Sequence, residues 1–151
     1  MRWNLLATAA VIALGGALVV ADDKKADKPK MPDLEAKEWK KRDDGIKVWD
    51  VKEGTGEEVK TGDTITMHYT LWLTDGKFIQ SSKTDGGKPF TASLKKGLIK
   101  GWQVAVPGMK PGGKRLLHIP PEMAYGKRGS PGAIPPDATL VFEIELVSFR
   151  K

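Results

Sequence analysis

Between Thr64 and Leu73 the chain alternates with the two-residue period of a strand. Ile65, Met67, Tyr69, Leu71 and Leu73 share one face and Thr64, Thr66, His68, Thr70 and Trp72 the other, so the first set is expected to face a core. Residues 138–149 behave alike: Leu140, Phe142, Ile144 and Leu146 fall on one side, Val141, Glu143, Glu145 and Val147 on the other, the pattern of a half-buried antiparallel strand. Shorter strands are expected at residues 46–52, 78–82 and 114–119, next to turn signals at Gly54-Thr55-Gly56, Asp75-Gly76 and Pro111-Gly112-Gly113. The period changes once, over residues 98–106, where Leu98, Trp102 and Ala105 recur at helical spacing before Pro107-Gly108 ends the run. Gly101 inside that helix costs about 1 kcal/mol relative to alanine, which implies a neighbour too close for any side chain. The predicted fold is α+β, an antiparallel sheet bent around one short helix.

The first 21 residues have a different logic. Arg2 precedes an uncharged run from Trp3 to Ala21, closed by Val19-Val20-Ala21 ahead of Asp22-Asp23. This is the plan of a secretory signal peptide, cut after Ala21, and it predicts export to a periplasm or the exterior. The uncharged run is 19 residues long, near the roughly 20 needed to span a bilayer, so an uncleaved segment would anchor the protein to a membrane. Residues 22–43 mix charges with two prolines and offer Trp39 as the one large anchor; they read as a charged flexible spacer, leaving residues 44–151 as the folded domain.

Charge and composition then remove function classes. The formal charge is +6, but from Asp43 onward 16 Lys and Arg face 13 Asp and Glu with no long basic run, so nucleic acid is not an expected partner. Without cysteine there is no disulfide, thiolate nucleophile or cysteine-held metal. His68 and His118 lie 50 residues apart, each within a strand, which favours ordinary sheet histidines over a metal site. Serine-hydrolase, phosphate-binding and zinc-protease signatures are missing, and no cofactor is expected. The remaining unusual residues are apolar: Tyr69, Phe90, Leu98, Ile99, Trp102, Tyr125, Ile134 and Phe142 sit at element ends beside loops. One at a time, such residues are usually core; Tyr125 is the exception, in a glycine- and proline-rich loop.

The runs GDTITMHYT, LTDGK, SS, KPF, LIKGW, AYG and PGAIPPDATLVFEIEL, in this order and spacing over residues 45–149, resemble the FKBP family of peptidyl-prolyl cis/trans isomerases, immunophilins that bind macrolide immunosuppressants. The resemblance implies a five-stranded antiparallel sheet wrapped on the short helix, with Trp102 flooring an apolar pocket. It implies catalytic roles for Tyr125, Trp102, Phe142 and Tyr69, with Tyr125 donating to the ligand's carbonyl oxygen. It places Ile79, Gln80, Phe90, Leu98, Ile99 and Ile134 against the substrate. Counting without gaps, Ile79 and Gln80 stand where the family usually has Phe-Asp; the stretch from Phe90 to Leu98 is one residue shorter than usual, with Ala92 for an aromatic. The expected partners are proline-containing polypeptides and macrolide inhibitors. The competing expectation is a binding or chaperone-like module that keeps the pocket and loses the rate.

Overall fold

The structure, a computed structural model, describes residues 28–84 and 86–151. The leader expected over residues 1–21 and the first residues of the spacer lie outside the described residues. The fold below is that of the compact unit Met31–Lys151.

Seven strands form one antiparallel sheet: β1 (Lys40–Lys41), β2 (Lys47–Lys52), β3 (Thr64–Leu73), β4 (Phe78–Ser81), β5 (Phe90–Ser93), β6 (Lys114–Ile119) and β7 (Leu140–Arg150). Their order is β1-β2-β6-β7-β3-β4, with β5 also paired to β3. β5 pairs with Thr64–Met67 and β4 with Thr70–Trp72 of the same strand, so these two short strands make one interrupted row. The sheet is therefore the expected five rows with a two-residue edge strand added. Ser82 bridges the interruption: its hydroxyl accepts from Tyr69 N at 3.0 Å and its N–H donates to Tyr69 O at 3.0 Å. A buried backbone group left open there would cost as much as a lost hydrogen bond.

Helix α1 (Lys100–Ala105) crosses the concave face and is shorter than the expected 98–106, because Ile99 at its start is extended (φ −59°, ψ 147°). Ile65, Met67, Leu71, Leu117, Ile119, Leu140, Phe142, Ile144 and Leu146 enter one core with Trp102, Ala105 and Val106. Gly101 shows why its position rejects side chains: a Cβ there would stand 2.6 Å from Ile119 Cγ2 and 3.1 Å from Met123 O. Ile119 is itself fully buried and cannot swing away. Helix propensity is given up at Gly101 so that α1 can lie this close to β6.

The convex face differs from its sequence reading. Thr70, Trp72, Leu116 and Val141 are buried although they point away from the core. Cross-strand pairing aligns Trp49 with Leu116 and His118 with Val141, and Val141 with Trp72, which gives this face apolar rows that need cover. Trp39 supplies part of it, edge-on to Trp49 at 5.8 Å and to His118 at 6.2 Å, with its indole N–H donating to Asp33 O at 2.9 Å. The ordered unit thus begins before Asp44, and the last residues of the expected spacer belong to the sheet edge.

His118 sits in this cover with Nδ1 buried and without a hydrogen-bond partner among the described residues. Burial, then the positive charge of Lys47, pushes its pKa below the ordinary value of 6.5. The unfolded chain therefore binds a proton that the folded chain refuses, and stability is retained above pH of about 6.5 and lost as pH falls through the folded value. Urea unfolding is expected to show a midpoint that declines with acid below that pH and a flatter profile for His118→Phe. Superimposable profiles for the two proteins would contradict the assignment.

Candidate functional site

A cavity of about 190 Å³ opens between α1 and the edge of the sheet. Its lining is Tyr69, Leu71, Gln80, Phe90, Gly97, Leu98, Ile99, Trp102, Tyr125 and Phe142, without a carboxylate, ammonium, guanidinium or imidazole. Pockets for whole drug-sized ligands hold roughly 300–1,000 Å³; this one suits a single ring and its neighbouring peptide groups. A larger recess of about 310 Å³ is lined by Lys40, Asp50, Lys52, Glu53, Lys110 and Arg115 among others; that charged wall suits no apolar transfer.

Trp102 is the hub. Its ring lies 5.0 Å from Phe142, 5.5 Å from Tyr69 and 6.1 Å from Phe90, all near perpendicular. Tyr69 in turn meets Phe90 at 5.7 Å and Phe142 at 6.4 Å. Edge-to-face contact places the positive rim of one ring on the negative face of the next, so the four rings fix each other's tilt. The indole nitrogen of Trp102 is buried without a hydrogen-bond partner among the described residues, leaving the floor one unused donor.

Local hydrogen bonds hold the walls. Gln103 Nε2 donates to Leu98 O at 2.7 Å and Trp102 N to Ile99 O at 3.1 Å, tying the Leu98-Ile99 wall to the helix that carries the floor. Across the mouth, Gly126 N donates to Pro121 O at 2.8 Å, Asp137 N to Gly126 O at 3.0 Å and Gly129 N to Tyr125 O at 3.2 Å. Gly129 has φ +67°, and a Cβ on it would stand 2.4 Å from Ile134 O, so only glycine closes this loop. Tyr125 is delivered to the rim 43% exposed, and its hydroxyl has no partner among the described residues. Behind the interruption of the sheet, Lys83 pairs with Glu145 and holds that carboxyl below its ordinary range, chiefly through their hydrogen bond.

Of the residues singled out from the sequence, the structure brings Tyr69, Gln80, Phe90, Leu98, Ile99, Trp102, Tyr125 and Phe142 to one cavity. Ile79 and Ile134 do not line it. Leu71 pairs with Gln80 and Trp72 with Phe78, so Ile79 is the extra residue of a bulge and packs against the core instead. The same pairing keeps Phe78 opposite Trp72 and out of the pocket. Ile134 is buried, paired to Ser130 by an isolated bridge, and anchors the loop that presents Tyr125. Leu71 and Gly97 were missed as wall residues. The β3 alternation puts Leu71 on Tyr69's face, and Gly97 adjoins Leu98 with φ +85°.

The sequence profile of the FKBP-type peptidyl-prolyl cis-trans isomerases matches residues 55–147. An FK506-binding protein of Neisseria meningitidis serogroup B is 50% identical over 104 residues, 68% of this chain and 94% of that protein. A peptidyl-prolyl cis-trans isomerase of Schizosaccharomyces pombe is 46% identical over 108 residues, covering 70% of this chain and 96% of the relative. Among solved structures, FkpA from Escherichia coli superposes with a TM-score of 0.71 at 38% identity, over 91% of this chain and 60% of that one.

The geometry separates floor from rim in a measurable way. Trp102→Ala is expected to cost about 3–5 kcal/mol in urea unfolding, the range for an emptied aromatic site. Tyr125→Phe, at an exposed rim, is expected to shift stability by less than about 0.5 kcal/mol. Equal losses for the two variants would mean that Tyr125 is a core residue.

Proposed function

Since the chain belongs to the FKBP-type peptidyl-prolyl cis-trans isomerase family and is an isomerase of that kind, we propose that it works by desolvating the X-Pro amide in the Trp102 cavity. A pocket of four interlocked rings, with no acidic or basic side chain in its wall, carries this reading.

Rotation about a peptide bond crosses a barrier of about 18–20 kcal/mol because the planar amide loses its resonance. At the top, the carbonyl oxygen carries less negative charge and the nitrogen is pyramidal. The planar states lose more hydration on entering an apolar site than the twisted one does, and only such a difference between ground and transition state raises a rate. A thousandfold acceleration needs about 4 kcal/mol of it. In this account Trp102 and Phe142 receive the proline ring, Tyr69 and Phe90 wall it, and the Tyr125 hydroxyl donates to a peptide carbonyl at the mouth. Gln80, Leu98 and Ile99 contact the flanking chain. No proton transfer or nucleophile takes part.

The substrates would be proline-containing polypeptides, and macrolides that insert a ring into the same cavity would compete with them. The N-terminal pattern of residues 1–21 supports action on exported proteins, whose maturation slow prolines delay. Among the described residues no helix is long and apolar enough to cross a membrane. The exported protein is expected to begin at Asp22 on N-terminal sequencing; a start at Met1 would replace release by anchoring.

In a proline-limited refolding assay, catalytic amounts of protein are expected to shorten the slow phase, and a macrolide to abolish the effect. Tyr125→Phe is expected to lower the rate about two- to tenfold, the worth of one hydrogen bond. Peptide binding without acceleration would leave the binding-module alternative, for which Ile79 and Gln80, standing where the family usually has Phe-Asp, are the motivating residues.

A further inference from the structure

The pocket is neutral, but the segments that supply its walls are not. Lys88 lies two residues before Phe90, Lys95 and Lys96 run directly into Gly97, Lys100 follows Ile99, and Lys127 and Arg128 follow Tyr125 by two and three residues. All six are exposed, and among the described residues none joins an ion pair. With the Lys83–Glu145 pair set aside, residues 83–100 and 120–137 together hold six Lys and Arg against three carboxylates, Asp85, Glu122 and Asp137, whereas the rest of the chain from Asp43 onward holds nine against nine. The positive excess that looks scattered in the sequence is concentrated by the fold around one mouth.

We infer that this rim makes the isomerase selective for prolines flanked by acidic residues. The inference rests on the Trp102 cavity being the isomerase site. The cavity itself cannot take a carboxylate, since a buried charge without a partner is heavily penalised, so the proline and its immediate contacts remain apolar. A few residues to either side, the bound chain leaves the cavity across the rim. There the cations act on it from a low-dielectric wall, which focuses the field outward and raises the encounter rate of an oppositely charged segment. Glu122 and Asp137 temper the loop side of the mouth, and the stretch from Leu94 to Val104 carries no carboxylate at all, so the strongest attraction falls beside Leu98 and Ile99.

The test uses three peptides with one apolar-Pro centre and flanks of glutamate, glutamine or lysine. Values of kcat/KM are measured for the parent protein and for a Lys96→Glu, Lys100→Glu, Lys127→Glu variant. At about 0.01 M salt, where the screening length is about 30 Å, the expected order is glutamate over glutamine over lysine, with about a tenfold span. At about 1 M salt, with screening at about 3 Å, the three values are expected to converge. The variant is expected to reverse the order at low salt, its turnover of the glutamine peptide reporting on the cavity itself. Equal values for the three peptides at low salt, with the glutamine peptide turned over normally, would overturn the rim selectivity and leave the isomerase reading standing. Failure to accelerate any of the three would overturn the isomerase reading and the selectivity with it.

Discussion

The depth to which one short helix sinks into the sheet controls the rest of this molecule. α1 can approach β6 only because Gly101 brings no side chain against Ile119, and that approach seats Trp102 where it touches Tyr69, Phe90 and Phe142 together. A methyl group at residue 101 would push the helix outward or distort Ile119, and overpacking of this kind typically costs about 1–3 kcal/mol. It would also tilt the floor of the cavity. Stability and site geometry therefore rest on the same contact, which explains why a poor helix former stands in the first turn of the only α-helix among the described residues.

Around that floor, chemistry is divided by distance from the surface. The innermost walls are rings and branched aliphatics; the polar groups at hand are two tyrosines, the Gln80 amide and an unpartnered indole N–H. Charges begin one or two residues from Phe90, Gly97, Ile99 and Tyr125 along the chain. An amide drawn into the cavity meets little that can replace its hydration, while the chain on either side of it remains in a field. Such an arrangement needs no ionisable catalyst, and its rate should follow cavity shape and dryness more than pH. The glycines and prolines of residues 120–137 serve the same end: they close a loop tight enough to hold Tyr125 at the rim without burying it.

Much of this was legible in the sequence because period and face are local properties. The alternation from Thr64 to Leu73 and the strand Lys114–Ile119 appear with the expected bounds, and the cost of Gly101 correctly pointed to a close neighbour. What escaped was non-local. Gapless counting against the family pattern puts Ile79 at the pocket wall, and a bulge visible only in the pairing with β3 sends it elsewhere. The resemblance puts Ile134 against the substrate, whereas in the structure it is buried and anchors the Tyr125 loop. The cover of the convex face was missed because Trp39 stands in a charged, proline-containing stretch with no period of its own. Only the apolar rows ending at Trp49 and His118 give it a place to dock.

The central physical claim is that the cavity prefers a half-rotated amide to a flat one. A direct measurement compares, by calorimetry, an X-Pro peptide with a matched ligand whose amide is replaced by a group locked perpendicular to the peptide plane. The twisted ligand is expected to bind at least about a hundredfold more tightly, as a transition-state mimic should, and truncating Phe142 is expected to erode this advantage more than it weakens the planar peptide. Equal affinity for the flat and the twisted ligand would contradict the claim.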